Sequence, residues 1–445
     1  MFLEHIQLTG PLKNCLRETD VTNLSFHSNH SNRKMPGRPP FLKLRRRSPS
    51  PTATPPKICD CPVLTEDKSL DHYFWFESKE ALTEAGGFGF VMPVVAQESF
   101  QALVKKQFLK FKLKAPELTL RPLVVKQVGV TEPAHLKEVQ QESLVLRYLM
   151  LLRQRLPILA KHLPGYYGCF SGVSDDNKPV AYIVMDRVLS EAGVETAEFD
   201  FDVLQKAEAG EAIDSKHLMD HDRPVEVFDM INESFDAPDP PKAIQEMCVK
   251  IFRPLAKVLA TMHRYKVVHG DIKPSNLMYG HLGTSDGSPS SVGLYLVDFG
   301  HSCLDPTLGY TQFPSCKEHP LGPDEIWSPE SFDSIDPETR LKIYQGKPLS
   351  FDDFRRNDWW GFLYTCFTSI GGGGYPVLPK YFAKYPDGGA AEMIMTDFHK
   401  AWKRSFHYYL EGLKVSGLCP KVWALCDSIM ERRPLSELLA KADGL

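Results

Sequence analysis

The sequence predicts an α+β fold of two packed lobes, β-rich in its first part and mainly α-helical in its second. Three observations predict it. Short β-rich runs follow His72, apolar residues beyond position 246 recur at helical spacing, and no internal repeat relates the two parts. Length agrees, because 445 residues allow up to three domains of roughly 150 each or one large two-lobed body, and 42% hydrophobic content supplies a sizeable core.

Residues 25–56 are rich in Ser, Asn, His, Pro and Arg and hold too little apolar surface to offset the entropy of ordering them. Residues 1–68 are therefore expected to be a disordered basic tail. Its Arg45, Arg46 and Arg47 beside Ser48-Pro49 suit a nuclear-import or phosphorylation element, or a plain solvated linker. Beyond it, Tyr73–Phe76, Gly89–Ala96, Leu118–Val128 and Val180–Val188 read as strands. Pro133–Leu152 reads as a helix, with Leu136, Val139, Leu144, Leu146 and Leu149 at helical spacing. Residues 69–189 thus form the first lobe with its connection. Residues 190–246, with Gly193, Gly210, Pro224, Pro238, Pro240 and Pro241, read as a long acidic surface insertion. Residues 247–445 form the second lobe: a stripe of Ile251, Leu255, Val258, Leu259 and Met262, a short strand at Lys266–Val268, and helices near 357–370, 391–411 and 419–431.

The net charge of -4 hides a segregation: residues 1–60 carry ten Lys/Arg and four Asp/Glu, residues 190–246 four and sixteen. This pattern excludes a uniform nucleic-acid-binding coat but not a locally charged partner. The most apolar stretch, Tyr148–Ala160, is broken by Arg153, Arg155 and Pro157, so no membrane span is expected. Glu4 and His5 stand where a secretory signal needs apolar residues. Ten cysteines are too few for a disulfide scaffold, and Cys59 with Cys61 lacks the second pair or the histidines of a zinc site. Free thiols and an intracellular setting, cytoplasmic or nuclear, are the expectation.

The chemistry concentrates in His269-Gly270-Asp271-Ile272-Lys273-Pro274-Ser275-Asn276 and Val297-Asp298-Phe299-Gly300, the second delivered by the apolar run Leu294–Val297. Phosphoryl transfer needs such a set. One carboxylate orients the attacking hydroxyl, an ammonium spreads the developing charge, and an amide oxygen with a second carboxylate holds magnesium on a triphosphate. These residues resemble the catalytic core of eukaryotic protein kinases, a likeness that extends over about residues 73–440 and implies their bilobal fold.

The resemblance assigns roles. It implies Asp271, Lys273 and Asn276 as catalytic, and Asn276 with Asp298 as ligands of Mg2+. Glu84-Ala85-Gly86-Gly87-Phe88-Gly89-Phe90-Val91 is similar to the glycine-rich loop, which places Gly86, Gly87, Gly89 and Val91 at ATP. Lys126 resembles the lysine of the third strand and Glu142 its helix partner, with Glu138 as the rival one turn earlier. Met185 and Asp186 resemble the hinge beside the adenine. Ser328-Pro329-Glu330 resembles the end of the activation loop, Asp358-Trp359-Trp360-Gly361 the start of the central helix, and Arg433 the late arginine that pairs with Glu330.

The sequence departs from the family at Glu84, in the first glycine place, and at Gly270, where regulated kinases carry the arginine that grips a phosphorylated activation loop. Pro323 replaces a threonine that bridges the catalytic aspartate and lysine, and both the stretch between Val91 and Lys126 and the acidic insertion are long. Lys273 and Pro274 point to a serine or threonine acceptor, hence a serine/threonine kinase with ATP as co-substrate and an unidentified protein substrate. A catalytically weak pseudokinase scaffold and a small-molecule kinase of the choline or aminoglycoside type are the alternatives.

Overall fold

A computed structural model describes residues 70–76, 90–110, 115–118, 121–131, 133–174, 178–189, 225–227, 230, 240–283, 292–308, 334–344, 347–371 and 417–445. The content is mixed α and β. Strands β1 (Phe74–Phe76) and β2 (Phe90–Ala96) are followed by helix α1 (Glu98–Lys110), β3 (Pro122–Gly129), α2 (Pro133–Arg153) and α3 (Pro157–His162). With β4 (Tyr166–Val173) and β5 (Pro179–Asp186) the strands make a five-stranded antiparallel sheet in the order β1-β2-β3-β5-β4. The proline at 157 fits the first turn of α3, where its missing N–H leaves no bond unmade.

Both faces of this sheet are covered, and the strand alternation shows by what. Ala181 and Ile183 of β5 and Val128 of β3 join Val139, Val145, Leu146 and Leu149 of α2 in the main core. Leu123, Val125, Tyr182 and Val184 face the other way, into a second cluster with Phe100, Val104 and Phe108 of α1. Phe100 is the centre of that cluster, its ring 4.6 Å from Phe74 and 5.7 Å from Phe170. Gln101 fastens the connection back to β3, its Oε1 accepting from Leu118 N at 2.5 Å and its Nε2 donating to Pro116 O at 3.0 Å. The long stretch between Val91 and Lys126 therefore contains a structural layer. Its helical stripe is short, and β4, whose two faces are both apolar, likewise gives no alternation for a strand reading to catch.

The rest of the chain is mostly helical. After β6 (Val188–Leu189) and β7 (Val225–Glu226) come α4 (Pro240–Met247), a π-helical turn at Cys248–Phe252 and α5 (Arg253–Arg264). Then follow β8 (Val267–Val268), β9 (Leu277–Leu282), β10 (Gly293–Leu296), β11 (Cys303–Leu304) and helices α6 (Pro337–Tyr344), α7 (Phe351–Gly371), α8 (Pro420–Met430) and α9 (Leu435–Asp443). Strand β9 pairs with β10, β6 and β7, and β8 pairs with β11. The main core runs without a break from α2 through α5 to Trp359, Trp360 and Phe362 of α7 and Trp423 of α8. The expected tail, glycine-rich loop and helix at 391–411 lie outside the described residues, as does most of the acidic stretch.

Two expectations about composition meet the structure here. Among the described residues no helix is long and apolar enough to cross a membrane. The free-thiol expectation is corrected: Cys248 and Cys419 are joined by a disulfide with Cα atoms 6.2 Å apart, and Cys303 is disulfide-bonded too, while Cys169, Cys366 and Cys426 are buried. Sequence spacing could not find the first bridge, whose partners lie 171 residues apart, one in the π-helical turn and one just ahead of α8.

If α1 is an integral layer, truncating its central ring must be costly. Phe100→Ala should lower the unfolding free energy by about 3–5 kcal/mol, read as a fall in the urea midpoint at unchanged slope. A change under about 0.5 kcal/mol would show that α1 does not carry the outer face.

Candidate functional site

Position 126 falls on β3 with Val91 of β2 and Ile183 of β5 as its register partners, so its side chain projects opposite to Leu123 and Val125, toward α2. There its Nζ donates to Glu142 Oε1 and Oε2 at 3.0 and 3.1 Å and to Asp298 Oδ1 at 2.9 Å. Glu142, and not Glu138, is the helix partner. Lys126 is 6% and Glu142 3% exposed, so this is a buried cation shared by two carboxylates. Burial works against the ammonium, but the Asp298 and Glu142 charges outweigh it and hold the lysine well above its ordinary pKa. Burial pushes Glu142 up despite Lys126, whereas in Asp298 the lysine overrides burial and holds the carboxyl far below the usual range.

Asp298 has a left-handed backbone, φ 58°, a conformation that aspartate tolerates better than most residues, and its Oδ1 accepts from Gly300 N at 3.3 Å. The turn carries the carboxylate out of the β10 direction and back toward Lys126. Its Oδ2 has no hydrogen bond among the described residues.

The second group sits on the loop between β8 and β9. Asp271 Oδ2 accepts from Lys273 Nζ at 3.0 Å and from Asn276 Nδ2 at 2.9 Å, and the same Nδ2 donates to Asp271 O at 2.8 Å. A turn of 3-10 helix at Pro274–Asn276 makes this reach possible. Asp271 and Lys273 hold one another directly, so the threonine absent at position 323, which lies outside the described residues, is not what joins them.

The loop itself is positioned from below by α7. Asp358 is fully buried and accepts from His269 N at 2.9 Å, Gly270 N at 2.8 Å and His263 Nε2 at 2.9 Å. Burial holds His263 below its ordinary pKa against the pull of Asp358, so it acts as a neutral donor. Asn357 Nδ2 donates to Gly270 O at 3.1 Å, and Asn357 Oδ1 accepts from Asp336 N at 3.0 Å. Gly270 has φ +87°, and a Cβ there would strike the carbonyl of His301; one at Gly361 would strike that of Ile272. The arginine position of the resembling family is thus filled here by the residue that this backbone requires.

The two groups are tied together. His269 Nε2 bonds Val297 O at 3.0 Å, Val297 N donates to Asn276 O at 3.0 Å, and Ser302 Oγ donates to His269 O at 2.8 Å. His301, which follows Gly300, is kept below its ordinary pKa chiefly by burial while Asp271 and Asp298 pull the other way and Lys273 and Lys126 add to the lowering. It therefore lies within the field of all four charged groups. Neither His301 nor Asn357 was marked by the sequence motifs, although each directly adjoins one.

Other expected site residues fall elsewhere. Val91 lies beside Lys126, and half-buried Met185 packs on the main core. Asp186 accepts from Gly165 N at 2.7 Å, Tyr167 OH at 2.5 Å and Arg121 Nη2 at 2.8 Å, so its carboxylate lies on the sheet face opposite Lys126. The reason is register, since Asp186 continues the face of Tyr182 and Val184 rather than that of Ile183. Gly86, Gly87, Gly89, Glu84, Ser328, Pro329 and Glu330 are outside the described residues. Arg432 pairs with Asp336 at 2.7 Å and with Glu338 at 2.7 Å, while the expected partner of Arg433, Glu330, lies outside the described residues. Among the described residues no cluster of three or more His, Cys, Asp and Glu could hold a metal.

No protein-family model matches the chain. Over 83 residues it is 32% identical to the serine/threonine-protein kinase CAK1 of Saccharomyces cerevisiae, a match covering 17% of this chain and 22% of that protein. The likeness is to a kinase. The match spans about a fifth of the yeast protein's length, so it suggests a kinase-like relationship and no more.

The two helix glutamates separate cleanly in this geometry. Glu142→Gln, which leaves a buried ammonium with one carboxylate, should cost about 1–3 kcal/mol of stability, whereas Glu138→Gln should stay within about 0.5 kcal/mol. Urea unfolding checks both, and the reverse order would mean that Glu138 is the true partner.

Proposed function

We propose that the protein is an ATP-dependent serine/threonine protein kinase with a bilobal kinase-like fold. The observation that carries this reading is the shared ion cluster: a strand lysine gripped at once by a helix glutamate and by the aspartate ahead of Phe299-Gly300, beside a loop that pairs Asp271 with Lys273 and Asn276. The likeness to a yeast serine/threonine kinase supports it from sequence.

In this reading Lys126, fixed by Glu142, holds the α- and β-phosphates of ATP. Asp271 accepts the hydroxyl of the acceptor and orients it for attack, with its other oxygen engaged by Asn276 and Lys273. Lys273 steadies the γ-phosphate through the transition state. The donor set fits Mg2+. Asn276 gives its Nδ2 to Asp271, which leaves Oδ1, and Asp298 gives Oδ1 to Lys126, which leaves Oδ2; both are hard oxygen donors. Bound there, Mg2+ would neutralise charge on the triphosphate. The loop's position is set by Asp358 rather than by an arginine at position 270, so activity should not require a phosphorylated activation loop.

Asp271→Asn should lower transfer of γ-phosphate to a generic basic protein substrate by at least about a thousandfold, with nucleotide binding retained. Unchanged turnover would remove Asp271 from the chemistry. Separately, enzyme stripped by a phosphatase should keep its activity, and a collapse would refute the role given to Gly270.

A further inference from the structure

The sheet face opposite Lys126 carries a cleft of about 580 Å3 that the proposed reaction does not use. Arg121, Tyr167 and Asp186 line it from the strands, Met150 and Arg153 from the last turns of α2, and Pro116 from the segment after α1. Its lining carries two arginines, Arg121 and Arg153, and two carboxylates, Glu117 and Asp186. Arg121 is neutralised by Asp186 at 2.8 Å, and at the rim Glu117 faces Lys105 at 3.7 Å. Arg153 has no carboxylate within ion-pair distance among the described residues. Its Nη1 reaches Met150 Sδ at 3.7 Å and lies against Gly165 beside Tyr167 and Asp186, and its Nη2 reaches Ala160 O at 3.3 Å.

Two buried donors point the same way. Among the described residues the Nε atoms of Arg121 and Arg153 have no hydrogen-bond partner, and a guanidinium N–H left unpaired in a buried place is costly. Asp186 cannot serve them further, since Gly165 N, Tyr167 OH and Arg121 Nη2 already occupy it. The cleft therefore has unused guanidinium donors, an arginine in no ion pair among the described residues, and an apolar flank of Met150 and Pro116. We infer that it binds a carboxylate, held by the guanidinium of Arg153 with the free edge of Arg121 as second donor. With two carboxylates already in the lining, a monoanion suits the cleft better than a phosphoryl dianion. The carboxylate comes either from a small acid or from a glutamate or aspartate side chain of a partner peptide.

The test uses the full chain, a fluorescent peptide of alternating Glu and Ala, sodium acetate and inorganic phosphate. Saturable anisotropy with the peptide would assign a partner side chain; protection of the fold by acetate alone, without peptide binding, would assign a small acid. In either case Arg153→Met should weaken binding at least tenfold while ATP binding is unchanged, and saturating ATP should not displace the ligand. Arg153→Lys, which keeps charge and stem but loses the fork, should lose several-fold and serves if the Met variant does not fold. The proposal is overturned if neither probe binds, if Arg153→Met binds as well as the parent, if ATP competes, or if phosphate competes better than acetate at equal concentration. These outcomes are independent of whether the chain transfers phosphate.

Discussion

A single carboxylate sealed inside the helical core constrains most of what surrounds it. Asp358 has no water to solvate it, so the protein must supply every donor, and two of these are consecutive backbone N–H groups, those of His269 and Gly270. Satisfying both from one side chain dictates the path of the chain immediately before Asp271. The same path forces Gly270 into a left-handed conformation against the His301 carbonyl and leaves no room for a side chain on Gly361. A third donor, the neutral imidazole of His263, adds no competing charge to this environment.

The ion cluster above the loop solves a different problem. One ammonium must satisfy two carboxylates that arrive from elements far apart in sequence, Glu142 on α2 and Asp298 beyond β10. It does not satisfy them equally. The Asp298 carboxyl is strongly stabilised as the anion, while Glu142, deeper in the core, is held less firmly ionised. The asymmetry follows from the neighbours: His301 and His269 add to Lys126 in lowering Asp298 against burial, whereas the Asp298 and Glu138 charges add to burial in raising Glu142.

Much of this was legible in the amino-acid sequence because it is local. Asp271, Lys273 and Asn276 lie within one turn of chain, and the strand and helix that present Lys126 and Glu142 have clear apolar patterns. What escaped was decided by tertiary packing. The α1 helix shows too weak a stripe to announce itself, and β4 is buried on both sides. The Cys248–Cys419 bridge joins residues 171 apart, which no spacing rule encodes.

The second covering of the sheet guards solubility as well as stability. Leu123, Val125, Tyr182 and Val184 are apolar on a face that α1 and its connection help to hide. Without the helix that face would be a β surface prone to self-association, and with polar strands Phe100, Val104 and Phe108 would lose their partners. The helix and the outer strand residues form one packing unit.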